Sequence, residues 1–201
     1  MIGTGSEWVV ATSNRGKLRE LRALLANMGV ALRAQDELGI APPREPASSF
    51  VENALLKARH ASRIARMPAL ADDSGLVVAA LGGAPGVRSA RFAGDGRSDA
   101  ANVRRLLELL ADVPAPRTAS FHCVAVLMRH AEDPVPLIAS GEWAGSICCE
   151  PAGMGGFGYD PVFFDPALGM TAAELPADLK NQVSHRAAAL RTLRALLAPP
   201  A

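Results

Sequence analysis

The chain has 201 residues, of which 49% are hydrophobic and 20% charged, with a formal net charge of +1. A chain of that size buries a sizeable core at the upper end of one domain, and its composition excludes disorder. The near-neutral balance supplies no extended field for nucleic acid or an acidic membrane, so any anion binding must be local.

No apolar run approaches the roughly 20 residues that span a bilayer, and "MIGTGSEWVVATSN" lacks a basic segment followed by a long apolar stretch. A cytoplasmic protein is expected. Cys123, Cys148 and Cys149 form no CxxC pair and read as reduced core thiols. His60, His122, His130 and His185 show no HExxH spacing, which argues against a zinc enzyme.

In chain order, "EWVVATS" is short, apolar and β-branched, as a buried strand would be. "NRGKLRELRALLANMG" follows with Leu18, Leu21, Leu24, Leu25 and Met28 at helical spacing and Gly29 as a stop. "VALRA" reads as a returning strand and "LGIAPPREPASS" as a loop. Ser49 and Glu52 form a capping-box pattern opening a helix with Val51, Ala54, Leu55, Ala58 and Ala61 on one face, ended by Pro68. Two strands, "ALAD" and "GLVVAAL", then flank a turn at Asp72, Asp73 and Ser74.

Residues 82–97 form a long glycine-rich loop, of a length that in a compact domain accompanies function. "SDAANVRRLLELLADV" is a third helix with Val103, Leu106, Leu107 and Leu110 inward. "TASFHCVAVLMRH" and "VPLIASGEWAGSI" read as strands paired through "AEDP". A glycine-rich loop, "EPAGMGGFGYDPVFFDP", precedes a last helix, "SHRAAALRTLRALL", with Ser184 as its cap. Strands interleaved with helices, plus one hairpin, give an α/β fold with a mixed sheet.

Four constellations can carry chemistry. "TSNRGK" places Thr12, Ser13, Asn14, Arg15, Gly16 and Lys17 at a strand-to-helix turn, where free N–H groups form an anion site. Lys17 in the first turn is disfavoured by the helix dipole alone, which suggests an anion to meet it. The loop is not a Walker A motif, because Ala11 replaces Gly and Leu18 follows the lysine. His185 and Arg186 likewise put donors at the start of the last helix.

"GGFGYDP" lets backbone approach a ligand closely while Phe157 and Tyr159 offer ring faces and Asp160 an acceptor, a setting suited to a flat heterocycle. Asp72, Asp73 and Glu45, on separate loops, are carboxylates that can hold Mg²⁺ and orient an attacking water if they converge. An extended backbone points Asp72 and Asp73 to opposite sides, so one faces the site and the other braces it. Each constellation also has an ordinary structural reading: a capped helix, a surface arginine, a tight turn, a solvated turn.

Together, "TSNRGKLRE", "FVENALLKA", "ADDSGL", "GGAPGVRSARFAG", "FHCVAVL", "GGFGYDPVF", "TAAEL" and "SHRAAAL" resemble, in that order and over nearly the whole chain, the inosine triphosphate pyrophosphatase family. The resemblance implies an elongated, two-lobed single α/β domain over residues 1–201, built on a long mixed sheet flanked by helices. It further implies Mg²⁺-dependent hydrolysis of ITP, dITP and XTP to monophosphate and pyrophosphate, which keeps these nucleotides out of DNA and RNA. A cytoplasmic homodimer without nucleic-acid or membrane partners is expected.

By residue, the resemblance gives the phosphate turn to Thr12 through Lys17, catalysis to Asp73 and Lys17, and metal ligation to Glu45 and Asp73. Substrate contacts fall on Ser74, then on Phe157, Gly158, Tyr159 and Asp160, then on Lys180, His185 and Arg186. Arg44 stands where an acidic neighbour of Glu45 is expected, and Ser13 where glycine is commoner. Two other readings use the same residues: a nucleotide-binding regulator without turnover, and a pyrophosphatase for other modified nucleotides. Donors at His185 and Arg186 would suit a 6-oxo purine and be left unpaired by the amino group of adenine.

Overall fold

The computed structural model describes residues 6–96 and 98–198. The first five residues of the amino-terminal segment, and Arg97 of the expected glycine-rich loop, lie outside them. The elements are β1 (Glu7–Val10), α1 (Arg15–Leu25), β2 (Ala31–Ala34), α2 (Phe50–Ala65), β3 (Ala69–Val78) and α3 (Asp99–Leu109). They continue with β4 (Thr118–Met128), β5 (Leu137–Ile147), β6 (Phe163–Asp165), β7 (Met170–Thr171), α4 (Ala177–Val183) and α5 (His185–Leu197).

Among the described residues one seven-stranded sheet runs β2-β1-β3-β4-β5-β6-β7. β1 is parallel to β2 and β3, whereas β6 is antiparallel to β5 and β7, so the sheet is mixed and the fold is α/β. By compactness the chain separates into a unit holding residues up to 73, 123–141 and from 186, and a unit holding residues 74–122 and 142–185.

In the first unit the period-two alternation of strands sorts side chains onto two faces. Trp8, Val10, Leu70, Cys123, Ala125 and Leu127 pack with Leu21 and Leu25 of α1 and Leu190 and Leu193 of α5. The intervening residues Val9, Ala11, Ala69, Ala71, Val126 and Met128 pack with Ala54, Ala58 and Ala61 of α2. The alanine stripe of α2 has no bulk to hold the helix away from the sheet, which brings its polar side chains within reach of β3. In the second unit, Leu76 and Val78 join Val103, Leu106 and Leu110 of α3 with Phe121, Trp143, Tyr159 and Phe163 in one apolar cluster.

Helix ends follow the expected local chemistry. Asn14 accepts from the Lys17 N–H at 3.0 Å, and Ser49 caps α2 by accepting from the Glu52 N–H. Gly29 is left-handed after α1, and α2 stops at Arg66, itself left-handed with φ 55°, two residues before Pro68.

Four expectations are corrected. No turn separates "ALAD" from "GLVVAAL": β3 runs unbroken through Asp72 and Asp73. Both carboxylates find cationic partners, one on each face, so the strand has no need to bend out to water. The loop after β5 contains β6 and β7, of 3 and 2 residues, too short for alternation to show. The 7-residue α4 begins after Pro176 without a side-chain cap and so lacks the usual start signal. Of the expected core thiols only Cys123 is buried, its thiol pushed up to about 12 by burial and then by Asp72, while Cys149 is exposed.

Candidate active site

In the first unit the site grows from the two faces of β3. Asp72 shares the face of Leu70 and therefore meets α1 and α5. Lys17 Nζ lies 3.0 Å from its Oδ2, and the Arg186 guanidinium donates to the same oxygen through Nε at 3.3 Å and Nη2 at 3.2 Å. The remaining side of Arg186 donates through Nη1 to Glu20, one helical turn beyond Lys17. Arg186 is 1% exposed, so these two carboxylates neutralise a fully buried cation.

Asp73 shares the face of Ala71 and meets α2. Lys57 Nζ lies 2.7 Å from Asp73 Oδ1 and 3.3 Å from Glu45 Oε2, and Asn53 Nδ2 donates to Asp73 Oδ2 at 3.4 Å. Asn53 also bonds both backbone groups of Ala47, which fixes the loop that delivers Glu45. Lys57 and Asn53 are four residues apart on α2, the spacing that puts two side chains on one helix face.

The two aspartates are driven in opposite directions. Burial alone would raise Asp72, but Lys17 and Arg186 outweigh it and hold the carboxyl well below the usual carboxylate range. For Asp73 burial dominates over Lys57 and Lys17, and its proton affinity is raised. Burial works against the Lys57 ammonium, yet Asp73, Asp72 and Glu45 together raise it.

The phosphate turn is formed. Thr12 Oγ1 accepts from the Asn14 N–H at 3.2 Å, and Ser13 Oγ donates to Asp36 at 2.9 Å while accepting from Gln35. Arg15 is exposed, and Gly16 is half-buried at the start of α1.

In the second unit Phe157, Asp160 and Lys180 come together. Asp160 Oδ2 accepts from the Phe157 N–H at 2.8 Å and pairs with Lys180 Nζ at 2.5 Å, and that ammonium lies 4.9 Å from the Phe157 ring centroid. Gly158 donates to Asp99 at 2.7 Å. A Cβ at Gly156, where φ is +72°, would collide with the Asp160 carboxylate, so the turn admits only glycine there. His185 is 5% exposed and stacks on Phe121 at 4.8 Å and 13°. Ser74 is half-buried on β3.

Two side chains sit differently from expectation. Tyr159 offers no ring face: it is 3% exposed in the apolar cluster, its hydroxyl donating to the Ser89 carbonyl at 2.9 Å. Arg186 reaches Asp72 and Glu20 within the first unit, because the charge of a buried guanidinium needs carboxylates. Sequence reasoning missed Lys57, Asn53 and Glu20. The signal available was polar residues on the buried face of α2, where an alanine stripe predicts only apolar neighbours.

The donor set can be tested against Mg²⁺, which takes hard oxygen ligands. Glu45 and Asp73 supply carboxylate oxygens and already converge on one positive charge, the Lys57 ammonium, so their placement suits a cation. Among the described residues no three Asp, Glu, His or Cys side chains gather as a metal-holding group. Remaining ligands would come from water and phosphate oxygens.

A mixed α/β sheet whose third strand pairs Asp72 with Lys17 of α1 and Asp73 with Lys57 of α2 is an architecture suited to handling phosphate. The chain belongs to the Ham1 family, whose model matches residues 8–196. It is 59% identical over 187 residues to a dITP/XTP pyrophosphatase of Xylella fastidiosa, covering 92% of this chain and 94% of that protein. It is 54% identical over 186 residues to the dITP/XTP pyrophosphatase of Escherichia coli K12, with the same coverages. Among solved structures it resembles a HAM1 protein from Coxiella burnetii, with a TM-score of 0.88 at 48% identity over 96% of this chain and 98% of that one. A nucleoside-triphosphatase / dITP/XTP pyrophosphatase from Mycobacterium abscessus matches with a TM-score of 0.73 at 41% identity, over 96% of this chain and 100% of that one.

Proposed function

We propose that the protein hydrolyses the non-standard purine nucleoside triphosphates ITP, dITP and XTP to the monophosphate and pyrophosphate in a Mg²⁺-dependent reaction, keeping them out of DNA and RNA. The observation that carries the reading is the pairing of Asp72 with Lys17 and Asp73 with Lys57 on consecutive residues of β3, in a chain whose relatives bear dITP/XTP pyrophosphatase names.

Cleavage at the α-phosphorus requires neutralisation of a long polyanion and a positioned water. Lys17 and the free N–H groups at the start of α1 meet phosphate oxygens, with Thr12, Ser13, Asn14, Arg15 and Gly16 shaping the turn. Asp73 orients the attacking water through its carboxylate oxygen. Asp72, held ionised by Lys17 and Arg186, fixes the Lys17 ammonium. Glu45 and Asp73 would hold Mg²⁺, which when bound supplies positive charge to phosphate oxygens and polarises water.

Base recognition is assigned to Phe157, Gly158, Asp160, Lys180 and His185 in the second unit, with Ser74 as a further substrate contact. The donors to a 6-oxo group in this reading are His185 and Arg186, the guanidinium being held by Asp72 and Glu20. A buried donor left unpaired by adenine costs about 1–3 kcal/mol, enough for roughly tenfold to hundredfold discrimination. Among the described residues no helix is long and apolar enough to cross a membrane. The resemblance extends the reading to a cytoplasmic homodimer of one domain without nucleic-acid partners, which size-exclusion chromatography with light scattering checks.

Pyrophosphate release from ITP, dITP, XTP, GTP and ATP, each with Mg²⁺ and with EDTA, tests the function. Metal-dependent release confined to the non-standard purines supports it. Binding without release in any case would overturn it.

A further inference from the structure

The Lys57 ammonium stands where a metal held by Glu45 and Asp73 would stand. Its Nζ is 3.3 Å from Glu45 Oε2 and 2.7 Å from Asp73 Oδ1, and the residue is 8% exposed. A cation in contact with both carboxylates satisfies the charge demand that a divalent ion would otherwise meet. From this geometry we infer that Lys57 is an internal counter-ion which keeps the free protein from taking up divalent metal, so that the metal enters only with the nucleotide. The inference rests on the proposed metal site and adds an order of binding to it.

Three observations converge. First, an ammonium and a divalent cation at the same two carboxylates repel one another strongly in a partly buried setting, so occupancy by one opposes the other. Second, among the described residues no third Asp, Glu, His or Cys joins Glu45 and Asp73, and a cation that prefers about six oxygens is poorly served by two carboxylates alone. Third, Lys57 is anchored by charge and not by packing alone: its one ammonium touches both carboxylates, at 3.3 Å from Glu45 and 2.7 Å from Asp73.

A nucleotide changes each of these conditions. Its phosphate oxygens complete the ligand set of the metal, and their negative charge gives the Lys57 ammonium a new partner. Metal and triphosphate therefore bind with positive coupling, each raising the affinity for the other by the same factor. The device also protects the free protein. Without Lys57, Glu45 and Asp73 would repel as like charges and lose the ammonium that contacts both.

The test is titration of Mn²⁺ into nucleotide-free protein, followed through loss of the free-ion electron paramagnetic resonance signal, for the unsubstituted chain, Lys57→Met and Lys57→Gln. Thermal melts with and without Mg²⁺ run alongside. The expected result is weak Mn²⁺ binding by the unsubstituted chain and binding tighter by on the order of tenfold or more in either variant. Mg²⁺ should raise the melting temperature of the variants more than that of the parent. With a non-hydrolysable α,β-methylene analogue of ITP, the unsubstituted chain should remove more free Mn²⁺ than the same concentration of analogue alone.

Tight Mn²⁺ binding by the unsubstituted chain without nucleotide, or folded Lys57→Gln protein with no gain in affinity, would overturn the inference. No Mn²⁺ binding in any protein beyond that of the analogue alone would instead remove the metal site itself. Lys57→Gln keeps a donor for Asp73 without the charge, so the test survives if Lys57→Met does not fold.

Discussion

Asp72 and Asp73 are consecutive residues of one unbroken strand, and they address opposite faces of the sheet: Asp72 meets Lys17 at 3.0 Å and Asp73 meets Lys57 at 2.7 Å. The same extended backbone thus supplies one carboxylate that is held firmly ionised and one whose proton affinity is raised. Two different tasks follow from one pleat, and they separate experimentally.

Asp73→Asn should lower turnover of ITP by about 10²–10⁴-fold, the range over which positioned proton acceptors contribute. Circular dichroism should show an unchanged fold, since the amide oxygen can still accept from Lys57 and that ammonium keeps Glu45 as its counter-charge. Steady-state kinetics beside that spectrum check both halves; unchanged turnover would remove Asp73 from the reaction.

Asp72→Ala should act on stability first. It removes the carboxylate that Lys17 and the fully buried Arg186 share and leaves Arg186 only Glu20, and breaking such a buried pair costs up to about 3–5 kcal/mol. Urea unfolding measures the loss. Glu20→Gln, which leaves Arg186 its Asp72 partner, should cost less.

Acid stability should divide between the two aspartates. Folded Asp72 lies below its ordinary value of 3.8, so its contribution is complete above that pH and is lost as pH falls further. Folded Asp73 lies above 3.8, so as pH falls towards 3.8 the folded state takes up the proton first and this group strengthens the fold. Urea melts at closely spaced acidic pH values should therefore show a shallower loss below pH 3.8 in Asp72→Asn than in the unsubstituted chain. Asp73→Asn should lose the opposing gain above it.

Gly156→Ala should disturb the second unit locally. The added Cβ displaces the Asp160 carboxylate from the Phe157 N–H and Lys180, and the left-handed φ of +72° adds strain. The Michaelis constant for ITP should rise with the first unit's metal binding intact, which Mn²⁺ titration at saturating nucleotide, against nucleotide alone, separates.

Tyr159→Phe should cost about 1 kcal/mol by leaving the Ser89 carbonyl without its donor. Because the ring is 3% exposed and packs in the core, selectivity among ITP, XTP and ATP should be unchanged. A substrate panel beside a thermal melt checks both.

Much of the fold was legible in the sequence because its signals are local. Asn14 and Ser49 announce helix starts by side chains that reach only three residues, and Leu21 and Leu25 sit on the buried face of α1 that the leucine spacing indicated. The alternation that placed Asp72 and Asp73 on opposite sides is likewise a property of extended backbone. The turn expected between them was wrong because local composition weighed Asp, Ser and Gly as turn formers, without the cations that let both carboxylates remain inside a strand.

By itself, then, the sequence determined the α/β class, the capped helix that presents Lys17, and the glycine turn around Phe157, each set by interactions spanning a few residues. Tertiary structure alone decided the partners. Arg186 reaches Asp72 across 114 positions of chain and Lys57 reaches Asp73 across 16, distances over which no periodicity or cap carries information. A buried charge is stable only beside its counter-charge, and which residue supplies that counter-charge is settled by the packing of α1, α2 and α5 on β3.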